Sequence, residues 1–72
     1  MQKRVLETMD ALDYLESLNR LLTVEEFAEF SRLSEKTIYR HIRSHRLPAI
    51  RVKGRIVLEP RATAAWLRER FN

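Results

Sequence analysis

Lys36, Arg40 and Arg43 are spaced four and three residues apart, which gathers side chains on one side of a helix. Thr37 lies beside them, Ser34 and Glu35 precede them, and Tyr39 completes the segment SEKTIYRHIR. These residue types suit recognition rather than bond chemistry. A guanidinium fork grips a guanine edge or a phosphate, and short polar groups at a helix N-terminus reach base edges. A second cationic group follows closely: Arg51, Lys53 and Arg55 surround Gly54, the only glycine of the chain. Arginine on a narrow glycine turn can reach a phosphate backbone or enter a minor groove, where it reads groove width more than sequence.

Little else in the chain could do chemistry. The carboxylates are spread over expected solvent-facing positions, and there is no glycine-rich phosphate loop and no serine–histidine constellation, so no enzymatic activity is expected. His41 and His45 are four apart, but the chain has no cysteine and no third ligand beside them, so they read as polar residues near the basic surface. No cofactor, metal or small-molecule substrate is expected.

The elements that position these groups follow from local pattern. Val5, Met9, Leu12, Leu15, Leu18 and Leu22 recur at three and four, which predicts an amphipathic helix over 3–20, with Glu7, Asp10, Asp13 and Ser17 opposite. Its apolar stripe either covers the domain's own core or pairs with another copy, although heptads run for barely two repeats. Thr23-Val24-Glu25-Glu26 is a capping box that opens a short helix ending near Ser31–Arg32. Ser34 caps the next, which runs to about Arg43 or Ser44 with Ile38 and Ile42 inward. Leu33 plugs the turn between them. Two short helices joined in this way form a helix-turn-helix.

Pro48 then forces extended backbone, and AIRVKGRIVL over 49–58 reads as a hairpin. If Ile50, Val52, Ile56 and Leu58 all face one core, Val52 must pair with Ile56 across a three-residue loop, Lys53-Gly54-Arg55. Arg51, Lys53 and Arg55 would then share the outward face and tip. Pro60 suits the first turn of a last helix over 60–70, with Ala62, Thr63, Trp66 and Leu67 buried and Arg61, Arg68 and Arg70 exposed. The fold class expected is mainly α with a small β-hairpin, in one domain over 1–72: the helix at 3–20 and a winged helix-turn-helix at 21–70.

Charge sharpens this picture. Residues 1–30 carry three basic and seven acidic side chains, net −4, while residues 31–72 carry eleven basic and three acidic, net +8. A basic half on so small a domain makes a polyanion the leading partner. No apolar run approaches the roughly 20 residues of a membrane span. The N-terminal MQKRVLETMDALD, acidic and interrupted, does not read as a signal peptide. The expected location is the cytoplasm, with no membrane partner.

Over residues 21–68 the chain resembles the excisionase-type and wider MerR-like winged-helix DNA-binding family. The matching pieces are LLTVEEFAEF, LSEKTIYRHI, LPAIRV, KGRIVL and AAWL. The resemblance implies a recognition helix in the major groove of double-stranded DNA and a wing at the neighbouring minor groove. For phage or mobile-element members it also implies DNA bending that steers a tyrosine or serine integrase toward excision. Self-association on DNA, head-to-tail or through the N-terminal helix, belongs to the same implication. A small transcriptional regulator of the same fold is the alternative, and a protein-interaction module built on the acidic N-terminal helix a third. Three departures stand out. Arg32 and His45 occupy positions where the family often has glycine, Thr63 one where it usually has an aliphatic residue, and the first 20 residues lie outside its pattern.

Overall fold

The computed structural model describes residues 11–70. In chain order these form helix α1 (residues 11–17), strand β1 (Leu22–Thr23), helices α2 (Val24–Ser31) and α3 (Glu35–Arg43), strands β2 (Ile50–Val52) and β3 (Arg55–Leu58), and helix α4 (Pro60–Arg70). The sheet is antiparallel with order β1-β3-β2.

Of the helix expected over 3–20, residues 3–10 lie outside the described residues. The described part ends at Ser17 rather than Arg20. The Ser17 hydroxyl donates to the Tyr14 carbonyl at 2.7 Å, and the Leu18 N–H folds back to Leu15 at 3.3 Å, so the last turn tightens and stops. The stripe of α1 turns onto the protein's own core: Leu15 is fully buried, and Leu12 and Leu18 pack beside it. Arg68 of α4 ties this helix down, with its guanidinium 2.9 Å from Glu16 and 3.8 Å from Asp13. Arg68 is therefore half-buried and engaged, not one of the free surface arginines that its helical position suggests.

Helices α2 and α3 form where their caps dictate. The Glu26 N–H donates to the Thr23 hydroxyl, and the Glu26 carboxylate accepts from the Thr23 N–H, both at 3.0 Å. The Thr37 N–H donates to Ser34 Oγ at 3.1 Å. α2 ends at Arg32 in the left-handed region (φ 66°), whose N–H donates to Ala28. α3 ends in a Schellman turn: His45 takes φ 64°, its N–H donates to Ile42, and the Arg46 N–H donates to His41. Left-handed backbone is what glycine would serve best at both places.

The hairpin register departs from expectation. Val52 stands opposite Arg55, Arg51 opposite Ile56 and Ile50 opposite Val57, around a two-residue loop. Lys53 (φ 52°) and Gly54 (φ 80°) have the two positive φ values of a type I′ turn, whose twist matches that of the strands. Four aliphatics on one core face would need a longer loop, and the core does not extend that far. Leu58 is fully buried and Ile56 partly, whereas Ile50 and Val52 lie on the other face, 42% and 40% exposed.

β1 carries no pattern of its own; it forms because Leu22 meets Leu58 and Thr23 meets Val57. The core gathers Leu15, Leu22, Val24, Phe27, Ile38, Leu47, Leu58, Ala64 and Leu67. α4 opens with Pro60, and Glu59 caps it by accepting the Ala62 N–H at 2.7 Å. Its inner face is Pro60, Thr63, Ala64 and Leu67, with Trp66 and Ala62 only partly covered. The Thr63 hydroxyl is fully buried and has no hydrogen-bond partner among the described residues.

Candidate nucleic-acid interface

α3 is positioned by its inner face. Ile38 is fully buried and Ile42 packs against the same core. That anchorage turns Lys36, Arg40 and Arg43 outward, all exposed. Ser34 and Thr37 are linked hydroxyl to hydroxyl at 2.9 Å, and an Arg40 guanidinium nitrogen donates to Thr37 Oγ1 at 3.4 Å. The start of α3 is therefore a small hydroxyl network with an arginine leaning over it. Glu35 is exposed in the first turn, where its charge suits the helix dipole.

The two flanks of α3 differ. On one, Tyr39 is half-buried and shares a polar recess with Thr23, Glu25, Arg51, Gly54, Arg55 and Ile56. This recess joins α3 to the hairpin. On the other, His41 stands edge-on to Trp66 of α4, with ring centroids 5.2 Å apart. Trp66 also meets Phe27 edge-on at 6.2 Å and carries the Arg70 guanidinium over its face at 5.2 Å.

Arg51, Lys53 and Arg55 do not share one outward face. The register puts Arg51 on the side of Ile56 and Leu58, and Arg55 on the side of Val52 and Ile50, with Lys53 and Gly54 at the tip. The hairpin end is thus ringed by positive charge. Among the described residues, ion pairs involve only Arg20 with Glu26 and Arg68 with Glu16 and Asp13. Lys36, Arg40, Arg43, Arg51, Lys53 and Arg55 therefore keep their charge free of carboxylate partners within that part of the chain. Glu25 and Glu35 border this surface, but neither forms an ion pair with these cations.

Two titrating groups have identifiable environments. The Glu26 carboxyl is held below the usual carboxylate range, first by the Thr23 N–H and then by Arg20. The His41 imidazole is pushed below its ordinary value, first by burial and then by the positive charges of Arg70, Arg46 and Arg40. His41 and His45 do not act as a pair: one packs on Trp66, and the other is exposed in the turn. Among the described residues, no three His, Cys, Asp or Glu side chains stand close enough to hold a metal ion, and no helix is long and apolar enough to cross a membrane.

Two capped helices joined by a short turn, the second presenting a cationic stripe, define the helix-turn-helix class. A family model described as "Helix-turn-helix domain" matches residues 21–70, and the chain belongs to that family. Membership implies DNA as the partner. No curated protein and no solved structure matches the chain.

The sequence pattern passes over two groups beside this surface. Arg46 lies in the Schellman turn, and Arg70 is held on Trp66. Neither belongs to a recognisable motif: the left-handed turn after α3 places Arg46, and the packing of α4 brings Arg70 to this flank.

Proposed function

We propose that the protein is a non-catalytic, sequence-specific binder of duplex DNA that bends its target, in the manner of an excisionase-like accessory factor for an integrase. α3 serves as the recognition helix, with Lys36 and Thr37 at base edges and Arg40 and Arg43 on guanine edges or phosphates. The hairpin serves as the wing, where Arg51, Lys53 and Arg55 meet the backbone or the adjacent minor groove. Ser34 holds the N-terminus of α3 in place, Glu35 and Tyr39 border it, and Gly54 makes the tip narrow enough to approach. The observation that carries this reading is the row of exposed cations on α3, continued by the hairpin tip, with no carboxylate partner among the described residues.

The packing of α1 bears on how copies would associate. Its apolar stripe is spent on the core through Leu12, Leu15 and Leu18, which favours assembly side by side on DNA over pairing through the described part of this helix.

The test is selection from a randomised duplex pool, followed by footprinting and a circular-permutation bend measurement. Closely repeated head-to-tail sites with a bend are expected. Inverted half-sites one helical turn apart would instead mark a dimeric transcriptional regulator of the same fold. No retention of any duplex at about 50 mM salt, where phosphate contacts are strongest, would overturn DNA binding itself. Excision by an integrase encoded beside the protein, dependent on adding the protein, tests the recombination role.

A further inference from the structure

A helix lying in a major groove has a phosphate backbone along each side of it, because the groove is only about 12 Å wide. The hairpin can serve one side of α3, since Tyr39 and the hairpin residues line a common recess. The opposite flank, marked by His41, faces α4. There the protein brings together two arginines from separate segments around Trp66: Arg46 from the turn after α3, and Arg70 from the end of α4. We propose that Arg46 and Arg70 form a second phosphate clamp on the flank of α3 away from the hairpin, gripping the other backbone strand of the same groove. This inference rests on the DNA-binding reading above and extends it to residues that no motif marks.

Two geometric observations carry the proposal, and the environment of His41 agrees with them. The Arg70 guanidinium sits 5.2 Å over the Trp66 ring, and Trp66 is fixed in turn against Phe27 and His41. A stacked guanidinium keeps its charge and its in-plane donors while losing side-chain freedom in advance, so less entropy is lost when a phosphate arrives. Arg46 borders the same ring: it lines a shallow recess with Pro48, Ala62, Ala65, Trp66 and Glu69. The two arginines therefore flank one indole. His41, which meets the same ring, has its imidazole pushed below the ordinary value first by burial and then by positive charges that include Arg70 and Arg46. Glu69 lines the recess with Arg46, but it is exposed and makes no ion pair with either arginine among the described residues.

The full chain is titrated against a fluorescently labelled mixed-sequence duplex of about 30 base pairs between 50 and 200 mM salt. Each lost phosphate contact flattens the slope of log affinity against log salt by about 0.9, which corresponds to a loss on the order of tenfold at 0.1 M. Arg46→Gln and Arg70→Gln should each show this change, and the double variant about twice the change in slope. Arg70→Lys, which keeps a cation that can sit on the ring, should recover part of it. Trp66→Leu, which keeps apolar packing but removes the stacking face, should lose part of what Arg70→Gln loses. Arg61→Gln is the charge-matched control, because Arg61 lies about 140° around α4 from Trp66. Circular dichroism and melting of each variant report whether it folds as the parent does. If the folded Arg46→Gln and Arg70→Gln chains bind with the parent's slope, or if Arg61→Gln loses as much, the clamp is overturned while DNA binding stands. If the parent chain retains no duplex even at 50 mM salt, both fall together.

Discussion

The His41 ring meets Trp66 edge-on, centroids 5.2 Å apart, at the junction of α3 and α4. This contact makes the docking of α3 sensitive to protonation, because His41 has its pKa lowered by burial and then by Arg70, Arg46 and Arg40. The sign follows from linkage. Above the ordinary histidine range the imidazole is neutral whether the chain is folded or not, and it costs nothing. As pH falls through that range, the unfolded chain takes up the proton first. Stability therefore declines until the depressed folded value is passed, then levels off. Urea midpoints measured between pH 8 and pH 5 by Trp66 fluorescence should fall, and His41→Gln should remove the part of that fall centred in the histidine range. An identical profile for His41→Gln would show that the contact is not the sensor.

The left-handed residues predict stabilising glycines. Arg32 (φ 66°) and His45 (φ 64°) hold conformations that cost a residue with a side chain roughly 1 kcal/mol. Arg32→Gly and His45→Gly should each raise stability by up to about 1 kcal/mol, less the entropy that glycine adds to the unfolded chain. Gly54→Ala should act the other way by a similar amount. A Cβ there meets nothing within 4 Å, so the loss would be conformational alone. Chemical denaturation of the three variants checks the signs.

Thr63→Val should also stabilise. The hydroxyl is fully buried without a partner among the described residues, and an unpaired buried hydroxyl costs about 1–3 kcal/mol. Valine keeps the shape and removes the oxygen. A gain of about 1 kcal/mol in thermal or urea unfolding is expected. A loss would mean that the hydroxyl finds a partner in solution.

Arg40→Ala and Lys53→Ala should separate base reading from backbone grip. Arg40 stands outward from the core face of α3 and leans on Thr37, so its removal should cost about 1–3 kcal/mol on the selected target and less on random duplex. Lys53, at the hairpin tip, should weaken all duplexes alike and flatten the salt dependence by about one contact. Equal effects of the two variants on specific and random DNA would reject this division.

Much of the helix pair is legible because its signals are local. Thr23 and Glu26 cap each other across three residues, Ser34 caps α3 by accepting the Thr37 N–H, and Pro60 suits the first turn of a helix. The positive φ at Arg32 and His45 follows from where two helices must end. The hairpin is legible as a hairpin, since Gly54 lies between two short β-branched runs, but its parity is not. Periodicity shows which aliphatics alternate and says nothing about how far the core reaches. The I′ turn of Lys53-Gly54 settled the matter by placing Arg55 opposite Val52 and leaving Ile50 and Val52 outside.

Alone, the sequence determined the capped helix pair, the cationic stripe of Lys36, Arg40 and Arg43, and the split between an acidic and a basic half. Each depends on neighbours within a few residues or on composition. Tertiary structure alone decided the pairing of β1 with β3, the burial of Ala64, the capture of Arg68 by Glu16 and the delivery of Arg70 to the flank of α3. The physical reason is common to all four: each joins segments far apart in the chain, and such contacts are set by how the whole core closes.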